Sequence, residues 1–256
     1  MIISHRHRFI FLHAPKMAGS AIKLSLLPYL GRDDLILGAL DDAIMQGLRP
    51  NRATLRHVLH PHSAAWFRQL LTLPFTGRKG LAGFVNWANG RHFREVYGLV
   101  THSGAQECQR AFPREFSEYE RIAVTRNPWD YFVSAYFWRY RRLPVADRPS
   151  FEQFVEAVYF NRPDFRGADF RRKLGARFYF MDDGSPALTD VIRFNDLANE
   201  WDRVRRKLGL PEQARLASAK THTREGRPYR DQYTAKTRDM VAELCAPEIH
   251  HFHHEF

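Results

Sequence analysis

After a polar, histidine-bearing start, the chain runs Phe9-Ile-Phe-Leu12, four consecutive apolar residues of strand-forming type. A short unbroken run of this kind predicts a strand buried on both faces of a parallel sheet. Pro15 and Gly19 mark the residues behind it as a loop. From Ser20, a residue suited to cap a helix, the apolar positions Ile22, Leu24, Leu26, Leu27 and Leu30 predict a helix buried over much of its surface. Residues 33–66 read as mostly helical, with Leu35, Leu40, Ile44 and Leu48 near helical spacing. Residues 72–91, rich in Gly, Asn and basic side chains, read as a loop.

Two further apolar runs, Val96-Tyr-Gly-Leu-Val100 and Ile122-Ala-Val-Thr125, predict core strands, each followed by polar residues and a helical pattern. A strongly aromatic helix is expected over 129–140, and another over 151–159 after the break at 144–149. Residues 177–181 and 190–194 flank Asp182-Asp-Gly-Ser-Pro186 and predict a hairpin. An amphipathic helix over 196–208 is closed by Gly209, and a last helix covers 234–245. Repeated strand, turn and helix predict an α/β fold with a central parallel sheet flanked by helices. At 256 residues the chain fits a single domain with one core.

Composition narrows the partners more than the fold. Apolar residues make up 44% of the chain and aromatics 14%, ample for a core and unlike a disordered chain. The 39 Lys+Arg against 28 Asp+Glu give a formal charge of +11, which favours anionic ligands without choosing among them. Two cysteines, Cys108 and Cys245, exclude a disulfide framework and fit a reducing compartment, though a single bridge stays open. The apolar run at 9–12 is too short for a signal peptide and no run approaches a membrane span, so a cytoplasmic protein is expected.

The segment Ala14-Pro15-Lys16-Met17-Ala18-Gly19-Ser20-Ala21 joins the first predicted strand to a helix start. Such a loop is an anion site, because unpaired backbone N–H groups and the positive dipole end face the ligand. Gly19 lets backbone approach phosphate closely, Lys16 adds a positive charge and Ser20 a hydroxyl. A Walker A loop needs Gly-Lys-Ser/Thr at its end, whereas here Lys16 precedes the glycine, which disfavours Mg²⁺–ATP chemistry. A bland alternative is a Pro-Lys turn that only begins a helix.

The second segment is Arg126-Asn-Pro-Trp-Asp-Tyr-Phe-Val-Ser134-Ala-Tyr136. Asn127 and Pro128 suit the cap and first position of a helix. Arg126 can present a planar fork of donors to a phosphate, and Ser134 a hydroxyl from the helix. The bland alternative is an Arg126–Asp130 pair across the helix start.

Together the two segments resemble those of sulfotransferases dependent on 3′-phosphoadenosine 5′-phosphosulfate (PAPS), closest to the carbohydrate-type branch. Its donor loop typically reads His-Ile-Pro-Lys-Thr-Gly-Gly-Thr-Ser, and its 3′-phosphate motif Arg-Asn-Pro-x-Asp-x-x-x-Ser-x-Tyr. Met17 and Ala18 depart from the usual Thr and Gly. Ile192-Arg-Phe-Asn-Asp-Leu197 with Gly209-Leu-Pro211, the basic loop 223–233 and the aromatic C-terminal tail resemble later segments of the family. The likeness fails over 31–94, where an acceptor-binding insertion is expected.

The resemblance implies a P-loop-like sheet and a PAPS donor held by residues 15–21 (Pro15, Lys16, Met17, Ala18, Gly19, Ser20, Ala21), Arg126 and Ser134, with Arg224 and Arg227 as further nucleotide contacts. It implies transfer to a hydroxyl acceptor, an oligosaccharide or glycolipid, without a metal. Lys16 would steady the departing phosphate and His102 would take the acceptor proton. His102 follows the run ending at Val100, where α/β ligand sites gather, and imidazole titrates in the range a general base needs. His57, His60 and His62 are rival bases, and His13 reads as a core or supporting residue. A metal site on these histidines, or on His250, His251, His253 and His254, lacks the ligand pairs zinc requires. Two other functions stay open: a P-loop nucleotide kinase or phosphotransferase, and a non-enzymatic polyanion-binding module. No helix-turn-helix, finger or RNA-binding motif supports specific nucleic-acid recognition. Oligomeric state is not readable.

Overall fold

The computed structural model describes residues 1–60, 64–72, 77–216 and 228–256. It is an α/β structure built on one five-stranded mixed sheet flanked by helices. The strands are β1 (Ile2–Ser4), β2 (Phe9–Leu12), β3 (Leu35–Ile36), β4 (Glu120–Thr125) and β5 (Asp190–Arg193), in the order β3-β1-β2-β4-β5. The pairs β2–β4 and β4–β5 are parallel, as the buried apolar runs of β2 and β4 require. The sheet is not parallel throughout, because β1 pairs antiparallel with both β2 and β3. A four-residue connection forces this reversal between β1 and β2, since a parallel crossover needs a dozen residues or more. Arg8 closes the turn at φ 51°, and the Ser4 hydroxyl accepts from His7 N at 3.1 Å.

The helices in chain order are α1 (Gly19–Leu26), α2 (Leu40–Met45), α3 (Arg52–Leu59), α4 (Ala64–Thr72) and α5 (Gly77–Tyr97). There follow α6 (Ala105–Ala111), α7 (Pro113–Glu118), α8 (Pro128–Tyr140), α9 (Phe151–Tyr159), α10 (Ala176–Tyr179), α11 (Leu197–Lys207), α12 (Ala235–Leu244) and α13 (Ala246–Phe252). Among the described residues, no helix is long and apolar enough to cross a membrane.

Further expectations are corrected: Leu35, expected at helical spacing, lies in β3. Residues 77–91 are not loop: they belong to α5, whose Ala82, Val85, Asn89 and Phe93 form a buried stripe at helical spacing. Packing of that stripe against α2 and α3 outweighs the glycine cost of roughly 1 kcal/mol per residue. Residues 96–100 are not a strand. Val96 and Tyr97 end α5, and Gly98 at φ 68° donates its N–H to Arg94 O at 3.2 Å, a left-handed cap that terminates the helix. Residues 177–181 and 190–194 form no hairpin. The turn at 182–185 exists, with Met181 N donating to Ser185 O at 2.8 Å, but only Phe180 and Pro186 bridge across it. Residues 176–179 are helical, and β5 pairs with β4 instead, where Ile192 is buried.

The larger apolar cluster surrounds β2, β4 and α8 and holds Phe9, Phe11, Tyr131, Phe132, Phe154 and Tyr179. A smaller one joins Ile36, Leu40, Ile44, Val58, Trp66 and Val85 within the 31–94 region. Cys108 and Cys245 are both buried and unbridged.

Candidate functional site

The register Leu12↔Ala123 makes the loops after β2 and β4 leave the same edge of the sheet. The first loop carries positive φ at Lys16 (57°) and Ala18 (51°) but not at Met17. Left-handed residues alternating along a short segment are the pattern from which anion nests are built. Ala18 occupies the cap of α1, and no side chain caps the helix. Ser20 is therefore not the cap: it sits exposed in the first turn, leaving the first N–H groups of α1 to a ligand or solvent. Gly19 admits no side chain, because a Cβ would stand 1.8 Å from His13 Cδ2 and 2.0 Å from His13 Nε2. Met17, unusual by motif, is turned into the core with its sulfur 4.0 Å from the Tyr179 hydroxyl, which itself donates to Val124 O at 2.9 Å. Pro15 is half-buried and Ala21 buried, so both support the loop from within.

Arg126 ties the two segments together. Its Nη1 donates to Lys16 O at 2.8 Å, its Nε to Asp130 Oδ2 at 2.6 Å, and its guanidinium stands 4.1 Å from the Phe194 ring centroid. The pair foreseen across the helix start is present, and beyond it the same side chain grips the loop backbone. Asn127 caps α8 by accepting from Trp129 N at 3.1 Å, with Pro128 at the first position, as the sequence predicts. Asp130, Ser134 and Trp138 are four residues apart on α8 and share one face. Lys16 Nζ stands 5.6 Å from the Trp138 ring centroid, and Arg141 Cζ 4.3 Å. Burial first, then the nearby Arg126 and Arg141, lower the Lys16 ammonium from 10.5 to about 8. Asp130 is committed to Arg126, so the loop edge carries net positive charge.

His102 lies in the turn between α5 and α6 and is half-buried. Its Nδ1 donates to the carbonyl of His13 at 2.9 Å, and the two rings meet edge-on at 4.9 Å. A nitrogen facing a carbonyl must carry the proton, so neutral His102 keeps its lone pair on Nε2, the form a general base needs. His13 is buried, among the described residues its Nδ1 has no hydrogen-bond partner, and burial followed by Lys23, the N-terminal ammonium and His102 hold it well below the usual histidine range. Lys23 in α1 is wholly buried, donates to Leu37 O at 2.6 Å, and is lowered to about 8 by burial.

The rival histidines are placed elsewhere. His57 is buried on α3, bonded to Asn89 Oδ1 at 2.9 Å and stacked on His92 at 4.1 Å. His62 lies outside the described residues, as do Arg224 and Arg227. Among the described residues, no group of three or more His, Cys, Asp or Glu side chains is placed to hold a metal ion. The tail docks beside the second loop: His254 Nε2 and Thr125 Oγ1 share a 3.1 Å bond, and Asn127 Nδ2 donates to Glu255 O at 2.6 Å. A polar groove at the opposite sheet edge is lined by Arg8, Glu118, Glu120 and Lys207, whose charges pair with one another. Arg121, which also lines it, donates to the carbonyls of Ala187 and Phe116.

Lys23, Trp138 and Arg141 are neighbours of the site that neither motif includes; the i, i+4, i+8 spacing from Asp130 is the signal that points to Trp138. Compared with known proteins, the chain matches no family model, no curated protein and no solved structure.

Proposed function

We propose that the protein is a PAPS-dependent sulfotransferase with a P-loop-like donor site, acting on a hydroxyl acceptor, an oligosaccharide or glycolipid, in the cytoplasm. The observation that carries the reading is the bond from Arg126 to Lys16 O, which joins the two phosphate-type segments at one sheet edge. In this reading the amides of residues 17–21 and Lys16 receive the 5′-phosphosulfate. Arg126 and Ser134 face the 3′-phosphate. Because Arg126 is already held by Asp130 and Lys16 O, it serves chiefly as a fixed buried charge and a brace for the loop.

The acceptor oxygen attacks sulfur in line as the bond from sulfur to the bridging phosphate oxygen breaks. The bonding pair leaves on adenosine 3′,5′-bisphosphate, and the acceptor proton passes to His102 Nε2. In this reading Lys16 stabilises charge on the departing phosphate. Fixed charges in a partly dry site act mainly by positioning and electrostatics.

The test is thermal stabilisation by adenosine 3′,5′-bisphosphate, AMP and ATP. At about 100 times its dissociation constant the bisphosphate should raise Tm by roughly 5 °C or more, and AMP far less. Equal shifts with AMP would remove the 3′-phosphate assignment, and with it the reading.

A further inference from the structure

Outside the two phosphate-type segments, the least compensated charge near the site lies at the C-terminal end of α8. Trp138 is 43% exposed, although most aromatic side chains of α8 are buried. Two cations converge on its indole: Lys16 Nζ at 5.6 Å and Arg141 Cζ at 4.3 Å from the ring centroid. Among the described residues no acidic side chain pairs with either of them. Among the described residues the Arg141 guanidinium donates to Trp138 O alone, a bond that holds the side chain against the ring. A guanidinium laid on an aromatic face keeps its N–H edge available for a carboxylate or sulfate. Holding two like charges near one another costs free energy until an anion offsets them.

We propose that Trp138 and Arg141 form the acceptor subsite, and that the acceptor is an anionic saccharide whose carboxylate or sulfate pairs with Arg141 while its ring lies against the exposed indole. This inference rests on the sulfotransferase reading only in placing the acceptor beside Lys16. A sugar ring presents C–H groups that suit the negative face of an aromatic ring, and its charged substituent needs the fork. A nucleic acid fits less well. Single strands bind on a succession of aromatic platforms, whereas here Tyr136 and Tyr140 are buried and Phe137 is half-buried, leaving one platform.

The experiment is calorimetric titration, with adenosine 3′,5′-bisphosphate present, of a chondroitin hexasaccharide, a chitin hexasaccharide and a six-nucleotide single strand. The wild-type protein should bind chondroitin, and the neutral chitin at least tenfold more weakly. Arg141→Gln should weaken chondroitin binding by about tenfold, the worth of one charge-assisted pair, and Arg141→Lys by less. Trp138→Ala should weaken it several-fold, with the bisphosphate thermal shift, read at pH 6.5 where Lys16 stays charged, retained in all three variants. Arg141 and Trp138 are exposed, so these variants should keep the wild-type melting temperature within a few degrees.

Chitin bound as tightly as chondroitin, the oligonucleotide bound more tightly, no saccharide binding at all, or loss of the bisphosphate shift in Arg141→Gln would each overturn the subsite. Chondroitin binding that depends on Arg141, with no bisphosphate shift in the wild type, would keep the subsite and sink the sulfotransferase reading.

Discussion

Lys16 carries two roles that pull against each other. Its backbone carbonyl is fixed by Arg126, while its ammonium is partly buried among cations and lowered to about 8. The native state therefore gives up this proton between about 8 and 10.5, where the unfolded chain still holds it, so stability rises with pH through that window. Under the proposed function, a bound phosphosulfate would reverse the balance by favouring the charged ammonium. The thermal shift produced by adenosine 3′,5′-bisphosphate should accordingly shrink as pH climbs through about 8. Lys16→Ala should lower kcat by about 10²–10³ and bisphosphate affinity by much less, the pattern of an interaction made mainly in the transition state. An unchanged kcat would take Lys16 out of the chemistry. At this scale the Asn127 cap and the Arg126–Asp130 pair were legible, because capping chemistry and i, i+4 spacing are local. The inward turn of Met17 was not, since it depends on Tyr179, far along the chain.

Among the elements, α1 and α8 start in opposite ways. No side chain caps α1, whose preceding loop spends two residues in the left-handed region at roughly 1–2 kcal/mol each. Asn127 caps α8 and also donates to Glu255 O, so one residue fixes both the helix start and the tail. Asn127→Ala should cost about 1–2 kcal/mol in urea unfolding, beyond the loss of an exposed polar side chain. A change of only a few tenths would mean that solvent replaces the cap. The tail has a pH dependence of its own. Burial first, and then Arg193, lower His254 to about 4, so its neutral form is favoured in the fold and its docking weakens as pH falls from 6.5 toward 4. The glycine-rich α5 misleads a local reading, because its helix is stabilised by a stripe packed on distant segments rather than by propensity.

For the whole molecule, the charge of +11 sits over a core that holds a buried acid on its C-terminal helix. Glu248 on α13 is 2% exposed, and burial raises its carboxyl from 4.5 to about 7. Between those values the native state keeps a proton that the unfolded chain releases, so stability falls as pH rises from 4.5 through 7. Glu248→Gln removes the ionisation and should stabilise the protein by on the order of 2 kcal/mol at pH 8, with little gain at pH 4. Urea unfolding at both values checks this, and equal gains at the two would show that the carboxylate is already well solvated or paired.

The sequence by itself determined the elements whose signals are local: the apolar strands β2 and β4, the capped entry to α8, and the excess of positive charge. Only the tertiary structure decided what depends on distant partners. The antiparallel placement of β1, the pairing of β5 with β4, and the helical state of 77–97 follow from packing and register, which no short window contains. The same holds for the site. Lys16 and Arg126 are 110 residues apart, and the 2.8 Å bond between them exists because β2 and β4 lie parallel and in register.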